Sequence, residues 1–551
     1  MPVIRSCSWN NSGEDIVTDR KKLIRELESD YQTNHDIGED NITPMGLDIH
    51  HPVFAVSSIL ILLFVIGTLI FPELANNALD GAKDWSIETF DWFFLTAANI
   101  FVLVCLALIV LPLGKIRLGG PDAKPSFSTL SWFGMLFAAG MGIGLMFWAV
   151  SEPVGYFTEW FGTPLGVEGH TPEGARAAMG GTMYHWGLHP WAIYGVVALA
   201  LAFFAFNKGL PLTIRSAFFP LLGERVWGPI GHVIDTLAVL ATIFGLATSL
   251  GLGAQQAASG LHYLFDVPNT LATQIAIIVG VTAAALVSVL RGIHGGIKVL
   301  SNFNIGLAAL LMLFVIIAGG AVAFITTVFS TTGSYAAHLF PLSNPIGRED
   351  QTFYHAWTIF YWAWWISWSP FVGMFIARIS RGRTVREFLT AVLLVPTAVT
   401  VLWMSAFGGT GLRQVQDGIG ELAGGITDAS LSLFQMLEHM PLSSITAAVA
   451  VVLVLVFFVT SSDSGSLVID TITSGGKTDA PDGQRVYWVT LEGLIAAVLL
   501  WVGGEQALNA LQAGAITAGL PFTLVLLLMC ISLIMGLQHE RKLLILDGKW
   551  K

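Results

Sequence analysis

Long apolar runs alternate with short polar connections along most of the chain. A bilayer-spanning α-helix needs about 20 consecutive apolar residues. Twelve runs of roughly this length occur, at 53–73, 89–112, 129–150, 186–206, 233–260, 272–290, 304–328, 354–378, 386–407, 445–462, 487–503 and 514–537. Residues 1–50 are polar and charged, without the apolar core of a cleaved signal peptide. The pattern predicts an all-α integral membrane protein with twelve transmembrane helices.

The charge of the connecting loops predicts the orientation of these helices. Lysine and arginine cluster after every even-numbered run, for example at Lys115 and Arg117 after the second and at Arg381 and Arg383 after the eighth. Cytoplasmic loops carry this excess of positive charge. We therefore expect a multi-pass protein of the cell membrane with both ends in the cytoplasm, as tails at 1–50 and 538–551. The polar stretch 291–298 is interpreted either as an amphipathic connection along the membrane or as a plain loop.

Composition supports the membrane assignment and excludes several classes of protein. The chain is 54% hydrophobic and 12% charged, whereas a soluble domain is about 25% charged. The net charge of -11 and the lack of a basic stripe argue against nucleic acid as a partner. Three widely separated cysteines form neither a disulfide framework nor a metal-binding pattern. No enzyme motif is present, and no cofactor is expected.

Two related patterns recur about 220 residues apart. The third run is interrupted by glycines at 140–144. The eighth run carries a cluster of tryptophans that ends at Pro370, and we interpret it as the interrupted counterpart of the third. Each is followed two runs later by a segment rich in Ser, Thr and Gly, at 247–253 and 460–466. Five spans form each unit, and an odd number inserts the second unit upside down. Inverted repeats are typical of transporters, so we predict repeats at 129–330 and 354–537, preceded by two leading helices at 51–113.

Aromatic residues deep within two spans predict a binding site. The eighth run contains three mid-span tryptophans, Trp364, Trp365 and Trp368. The fourth run contains a second aromatic group, Trp186, Trp191 and Tyr194. Membrane tryptophans usually form an interfacial belt, but the eighth-run group lies about 10–15 Å from either end at helical rise. Facing aromatic rings attract a quaternary ammonium or sulfonium by cation–π interaction. Such a cage needs no carboxylate, because the charge of the ligand is permanent.

Other polar residues in the spans have two possible roles. Carbonyls freed at the glycine break and the hydroxyls of Thr460 and Ser461 suit a small hard cation. The alternative for the glycines is close helix packing, and the alternative for the hydroxyls is hydrogen bonding to the backbone. The acids Asp463, Glu152 and Asp235 are interpreted as lying at the membrane rim, where a charge costs little. His185 and His189 are interpreted as ordinary polar residues at a helix start, since no glutamate follows the first.

Two motifs resemble the betaine/choline/carnitine transporter family. They are Phe137-Ala-Ala-Gly-Met-Gly-Ile-Gly-Leu-Met-Phe147 with Glu152-Pro153, and Trp357-Thr-Ile-Phe-Tyr-Trp-Ala-Trp-Trp-Ile-Ser-Trp-Ser-Pro-Phe371, running on to Arg383. The resemblance, from about residue 50 to 540, implies the leucine-transporter fold and assigns the six aromatic residues above to the substrate site. It implies a sodium site formed by Ala138, Met141, Phe457, Thr460 and Ser461. A second sodium site would use Thr242 and Phe371, but Leu246 replaces its second threonine.

The resemblance implies sodium-coupled import of a methylated onium solute, glycine betaine in the first place, by alternating access. Proton-coupled members carry an aspartate in the glycine break and sodium-independent exchangers an arginine in the fifth span, and this chain has neither. Dimethylsulfoniopropionate, choline, carnitine or ectoine are alternative solutes, and proton-coupled uptake is the alternative mechanism. A channel or a solute-sensing receptor are alternative classes. Homotrimers are common in the family, so a homotrimer is also expected.

Overall fold

The computed structural model describes residues 13–140, 142–295 and 297–550, and these are almost entirely helical. The first half contains α1 (Gly13–Ser29), α2 (His51–Ile70), α3 (Pro72–Val110), α4 (Thr129–Gly140), α5 (Ile143–Phe157), α6 (Pro172–Trp186), α7 (Leu188–Lys208), α8 (Phe219–Leu222), α9 (Pro229–Phe265) and α10 (Leu271–Gly295). The second half contains α11 (Ile297–Ala318), α12 (Ala321–Ser343), α13 (Gln351–Phe353), α14 (Ile359–Ile379), α15 (Val385–Gln416), α16 (Ser432–Glu438), α17 (Ser443–Thr473), α18 (Asp482–Gly503) and α19 (Ala507–Leu546). One short antiparallel pair, β1 (Asn41–Ile42) and β2 (Ile49–His50), precedes α2.

Ten helical segments of the described chain are long and apolar enough to cross a membrane, with α6 and α7 counted as one. The predicted third and eighth spans fall outside these ten. The third is divided into α4 and α5, of 12 and 15 residues, each shorter than a bilayer requires. The eighth is α14, whose tryptophans, tyrosine and serines make it less apolar. The structure therefore supports a multi-pass membrane protein, while the count of twelve stays a prediction.

The break in the third span is present where the glycines predicted it. Gly142, between α4 and α5, has an extended backbone with φ −166° and ψ −176°. A helix cannot continue through this conformation. The first turn of α5 therefore begins in the interior of the protein. Ile143 is only 1% exposed there, and Gly144 is also buried.

Several predicted boundaries were wrong. The seventh span ends at Ala318 and not at 328, because Gly320 adopts φ 94° and a separate helix, α12, begins at Ala321. The eighth span is not interrupted: a π-helical turn at Tyr354–Thr358 leads directly into a continuous α14. Residue 296 lies outside the described residues, and the stretch 291–298 is helical on both sides of it. The interpretation of this stretch as a plain loop is therefore excluded. The predicted tail after 537 is a helical extension of α19.

Both ends of the described chain lie at the same end of the helix bundle. Arg20 donates from Nε to the carbonyl of Leu546, and Asp30 pairs with His539 at 3.3 Å. Inside the bundle, α14 packs against α7, α9 and α19, and α17 packs against α9. The predicted aromatic residues of α7 and α14 are therefore on neighbouring helices.

Candidate functional site

The six aromatic residues predicted to bind solute line one buried cavity. Its wall is formed by the start of α5, the α6–α7 junction, α14 and one residue of α15. The lining residues are Gly142, Gly144, Leu145, Trp186, Pro190, Trp191, Tyr194, Trp364, Trp365, Trp368 and Thr400. Its volume is about 40 Å³, close to the space one water molecule occupies in the liquid. Any larger solute requires the walls to move apart.

The rings of this aromatic cage meet mostly edge to face. Trp365 is at the centre, 4.8 Å from Trp186 at 73° and 6.3 Å from Tyr194 at 77°, measured between ring centroids. It also stacks on Trp364 at 4.7 Å and 14°. Trp191 lies edge-on to Tyr194 at 5.4 Å. Rings set at right angles present several π faces toward a common space, which is the arrangement that surrounds a cation.

Backbone carbonyls hold the indole rings of α14 in place. Trp365 donates from Nε1 to the carbonyl of His185 at 2.9 Å, and Trp368 donates to the carbonyl of Gly245 at 2.9 Å. Gly144 allows the two halves of the cage to approach, since a Cβ there would lie 2.8 Å from Trp186 and 2.9 Å from Trp364. Any side chain at this position would force the rings apart.

A buried carboxylate supports the cage from behind. Glu152 of α5 is completely buried, and its Oε2 accepts hydrogen bonds from Trp186 Nε1 and the Tyr361 hydroxyl, both at 2.6 Å. Its Oε1 accepts the Tyr156 hydroxyl at 2.8 Å and contacts His185 Nδ1 at 2.9 Å. The prediction that Glu152 lies at a membrane rim was wrong. So was the assignment of His185 to a helix start, since it is buried at the end of α6.

The proposed sodium ligands of α17 lie on one helical turn. Phe457, Thr460 and Ser461 stand at positions i, i+3 and i+4 of α17, a helix that packs against α5 and α9. The Thr460 hydroxyl donates to the carbonyls of Val456 at 3.0 Å and Phe457 at 3.2 Å. Hydrogen bonding to the backbone is the alternative to cation binding that the sequence left open. The oxygen lone pairs of this hydroxyl stay available to a cation. Ala138 is in α4, whereas Met141 lies outside the described residues.

The second predicted sodium site lacks one hydroxyl. Thr242 is buried and donates to the carbonyl of Ala238 at 2.7 Å, and the Phe371 ring lies 5.4 Å from that of Trp368. Leu246 is fully buried against Gly465 of α17, so an apolar contact occupies the position of the expected threonine. The nearby Thr248 hydroxyl donates to the carbonyl of Leu511, away from this position.

A second buried acid cluster joins α17 to α18 and α10. Asp463 pairs with Arg485 at 2.5 Å and accepts the Ser288 hydroxyl at 2.5 Å. Next to it, Glu492 accepts the Ser462 hydroxyl at 2.8 Å, and its Oε1 has no hydrogen-bond partner among the described residues. Asp463 therefore does not lie at an exposed rim. Asp235, the third acid so interpreted, is near the start of α9 but fully buried, 3.2 Å from Arg215.

A larger cavity lies beyond the cage, at the end of the bundle opposite the chain termini. It has a volume of about 730 Å³ and includes Trp148, Trp160 and Trp357 together with Lys83 and Glu88 of α3. Trp148 is 5.3 Å from Trp357 and 6.2 Å from Tyr361, between ring centroids. An aromatic layer therefore separates the open cavity from the closed cage.

Sequence comparison defines the class of this membrane protein. The model of the betaine/carnitine/choline family transporters matches residues 52–542. The chain belongs to this family, and it is a transporter and not an enzyme.

Similar curated proteins come from several bacteria. "Glycine betaine transporter 1" of Vibrio parahaemolyticus is 61% identical over 512 residues, covering 93% of this chain and 98% of the relative. A glycine betaine/proline/choline/ectoine transporter of the same species is 57% identical over 92% of this chain and 91% of the relative. The glycine betaine transporter OpuD of Bacillus subtilis is 45% identical over 87% of this chain and 92% of the relative.

Proposed function

We propose that this transporter is a sodium-coupled symporter that imports glycine betaine. The observation that carries the proposal is the convergence of six aromatic side chains on one buried cavity. None of the described residues that line it is charged. Attraction of a cation to this site then comes from ring faces, which suits a group whose positive charge is permanent and delocalised over methyl groups.

Glycine betaine fits this chemistry and the names of the relatives. Its trimethylammonium group has no N–H donor and needs no hydrogen-bond acceptor in the cage. The three relatives described above all carry glycine betaine in their names. A lysine or arginine side chain, in contrast, would leave its N–H groups unsatisfied among the rings.

Sodium is the proposed coupling ion, with one ion bound at the break between α4 and α5. Its ligands would be carbonyls of Ala138, Met141 and Phe457 and the hydroxyls of Thr460 and Ser461. Oxygen ligands of this kind suit a hard cation, and the unwound backbone at Gly142 frees carbonyls for it. Because Leu246 fills the second position with an apolar side chain, we propose one sodium ion per solute.

Alternating access explains why the cage is closed while a larger cavity beyond it is open. The two inverted repeats of five spans each would rock around the cage, and the aromatic layer at Trp148 and Trp357 would form the gate on the side opposite the termini. With both termini in the cytoplasm of the cell, this gate faces outward. One sodium and one zwitterion move one net charge, which the membrane potential drives by about 2.3 kcal/mol per 100 mV.

Choline is the second candidate solute. The neutral lining recognises an onium group and has no described cation that would require a carboxylate on the solute. Two relatives are named for transport of proline and choline as well as betaine. Carnitine and dimethylsulfoniopropionate share the onium chemistry and belong to the same proposal.

Uptake into proteoliposomes tests the function and the coupling together. Radiolabelled glycine betaine is offered with an inward sodium gradient or an equal potassium gradient, with unlabelled choline, proline, carnitine and dimethylsulfoniopropionate as competitors. We expect saturable, sodium-dependent uptake that is inhibited most strongly by onium solutes. Uptake that ignores sodium would overturn the coupling, and uptake that does not saturate would indicate a channel. Mass measurement of the purified protein tests the proposed homotrimer.

A further inference from the structure

Glu152 is the charged residue that touches the wall of the aromatic cage. Its carboxylate lies behind the ring of Trp186 and accepts that ring's only hydrogen-bond donor at 2.6 Å. The same indole ring lines the cavity. A buried negative charge is therefore separated from the proposed solute position by one indole ring.

The surroundings of this carboxylate supply four hydrogen-bonding partners. Each oxygen receives two contacts, from Trp186 and Tyr361 on Oε2 and from Tyr156 and His185 on Oε1. An ionised carboxylate offers about four acceptor positions, which matches this number of contacts. Hydrogen bonds of this number stabilise the negative charge in place of water.

A neutral His185 is compatible with its contacts to Glu152 and Thr358, and the Tyr156 hydroxyl, 3.1 Å from His185 Nδ1, donates its own proton to Glu152. With a proton on Nδ1 it donates to Glu152 Oε1 at 2.9 Å, and its Nε2, at 3.0 Å from the Thr358 hydroxyl, accepts the hydroxyl proton. No cation is then required next to the carboxylate. The negative charge of Glu152 thus remains uncompensated by the residues that hydrogen-bond to it.

We propose that Glu152 is a positioning and specificity-determining residue that holds Trp186 in the cage and makes the cage select for a positively charged solute group. The proposal rests on the proposed function, since it concerns the same aromatic site. Donation of the indole N–H to an anion increases electron density on the ring face, and the charge itself attracts an onium group through a medium of low dielectric. Both effects act on the charge of the solute and neither depends on its shape.

An isostere of glycine betaine that lacks only the positive charge separates charge from shape. In 3,3-dimethylbutanoate a tert-butyl group replaces the trimethylammonium group, while the carboxylate and the overall size are kept. Inhibition constants of both compounds are measured against labelled betaine uptake in the parent protein and in Glu152→Gln. We expect Glu152→Gln to weaken betaine about tenfold, the equivalent of about 1.4 kcal/mol, and to leave the isostere nearly unchanged.

Two further variants keep the test decisive. Glu492→Gln makes the same substitution in a buried glutamate away from the cage, and it should leave the betaine-to-isostere ratio as in the parent. Trp186→Phe keeps a ring but removes the N–H that contacts Glu152, and it should reduce the ratio even if Glu152→Gln fails to fold. Equal weakening of both compounds in the Glu152 and Trp186 variants would overturn the proposal and make Glu152 purely structural. A parent protein that does not distinguish betaine from its isostere would instead refute the proposed function.

Discussion

The two buried acid clusters of this transporter are stabilised in different ways. Glu152, beside the cage, accepts hydrogen bonds from two tyrosine hydroxyls and an indole, which are neutral, and from an imidazole that is neutral with a single ring proton. Asp463, between α17 and α18, has a guanidinium partner in Arg485. In the proposed recognition role the first arrangement leaves a net negative charge near the solute, whereas in the second Arg485 neutralises Asp463 next to the proposed sodium ligands. The guanidinium partner and its position between helices suit a cluster that holds helices together.

Removing the guanidinium should have the largest effect on stability. Arg485→Leu would leave the Asp463 carboxylate buried with only a hydroxyl partner, at a cost of about 3–5 kcal/mol. Thermal unfolding of the detergent-solubilised protein, followed by size-exclusion chromatography, measures the loss. The double variant Arg485→Leu with Asp463→Asn should recover much of it, and a single variant as stable as the parent would contradict the ion-pair interpretation.

Substitution within the cage should affect affinity more than stability. Trp368→Leu removes a ring face while retaining apolar volume, and should raise the KM for betaine about 30-fold, corresponding to roughly 2 kcal/mol of desolvated cation–π attraction. Initial rates of uptake over a range of betaine concentrations measure this change. The KM of Trp368→Phe should lie between those of the parent protein and the leucine variant. An unchanged KM in the leucine variant would show that Trp368 is not part of the solute site.

Adjacent hydroxyls of α17 distinguish the proposed sodium site from the acid cluster. Ser461→Ala should raise the sodium concentration for half-maximal uptake about tenfold, the effect of losing about 1.4 kcal/mol from one ligand. Ser462→Ala is the matched control, because Ser462 donates to Glu492 instead. Uptake is measured at constant ionic strength with sodium replaced by potassium. Similar sodium dependence in both variants would exclude Ser461 as a ligand.

The smallest change is expected at Glu492. Glu492→Gln keeps an oxygen acceptor for Ser462, and the other Glu492 oxygen has no hydrogen-bond partner among the described residues, so the free energy of unfolding should change by less than about 1 kcal/mol. Glu152→Gln should cost more, about 2–3 kcal/mol, since an amide cannot accept from all four donors. The same unfolding assay compares the two, and equal losses would show that the clusters are not held differently.

Much of the site could be predicted from side-chain identity and depth along the chain. The six aromatic residues lie in two spans and form a cavity as expected, and the glycines at 140–144 mark a real helix break. The identity of these residues carried the information, because tryptophan is costly to place deep in a span without a role. The binding role itself stays a prediction.

The acid clusters could not be predicted in this way. Glu152 receives its partners from α5, α6 and α14, which are separated by up to 209 residues. Nothing in the local sequence shows that donors so far apart converge on one carboxylate. The same holds for Asp463, whose charge is matched by an arginine on the next helix. The extent of α12 was also missed, since Gly319 and Gly320 end the preceding helix within a continuous apolar run.

The clustering of cage residues on α14 constrains how this protein can evolve. Trp364, Trp365 and Trp368 lie within a stretch of five residues in an uninterrupted helix. One inserted or deleted residue before them would rotate all three by about 100° around the helix axis. Specificity within this lineage can therefore change by replacement of individual side chains, whereas length variation is confined to the loops outside the helix.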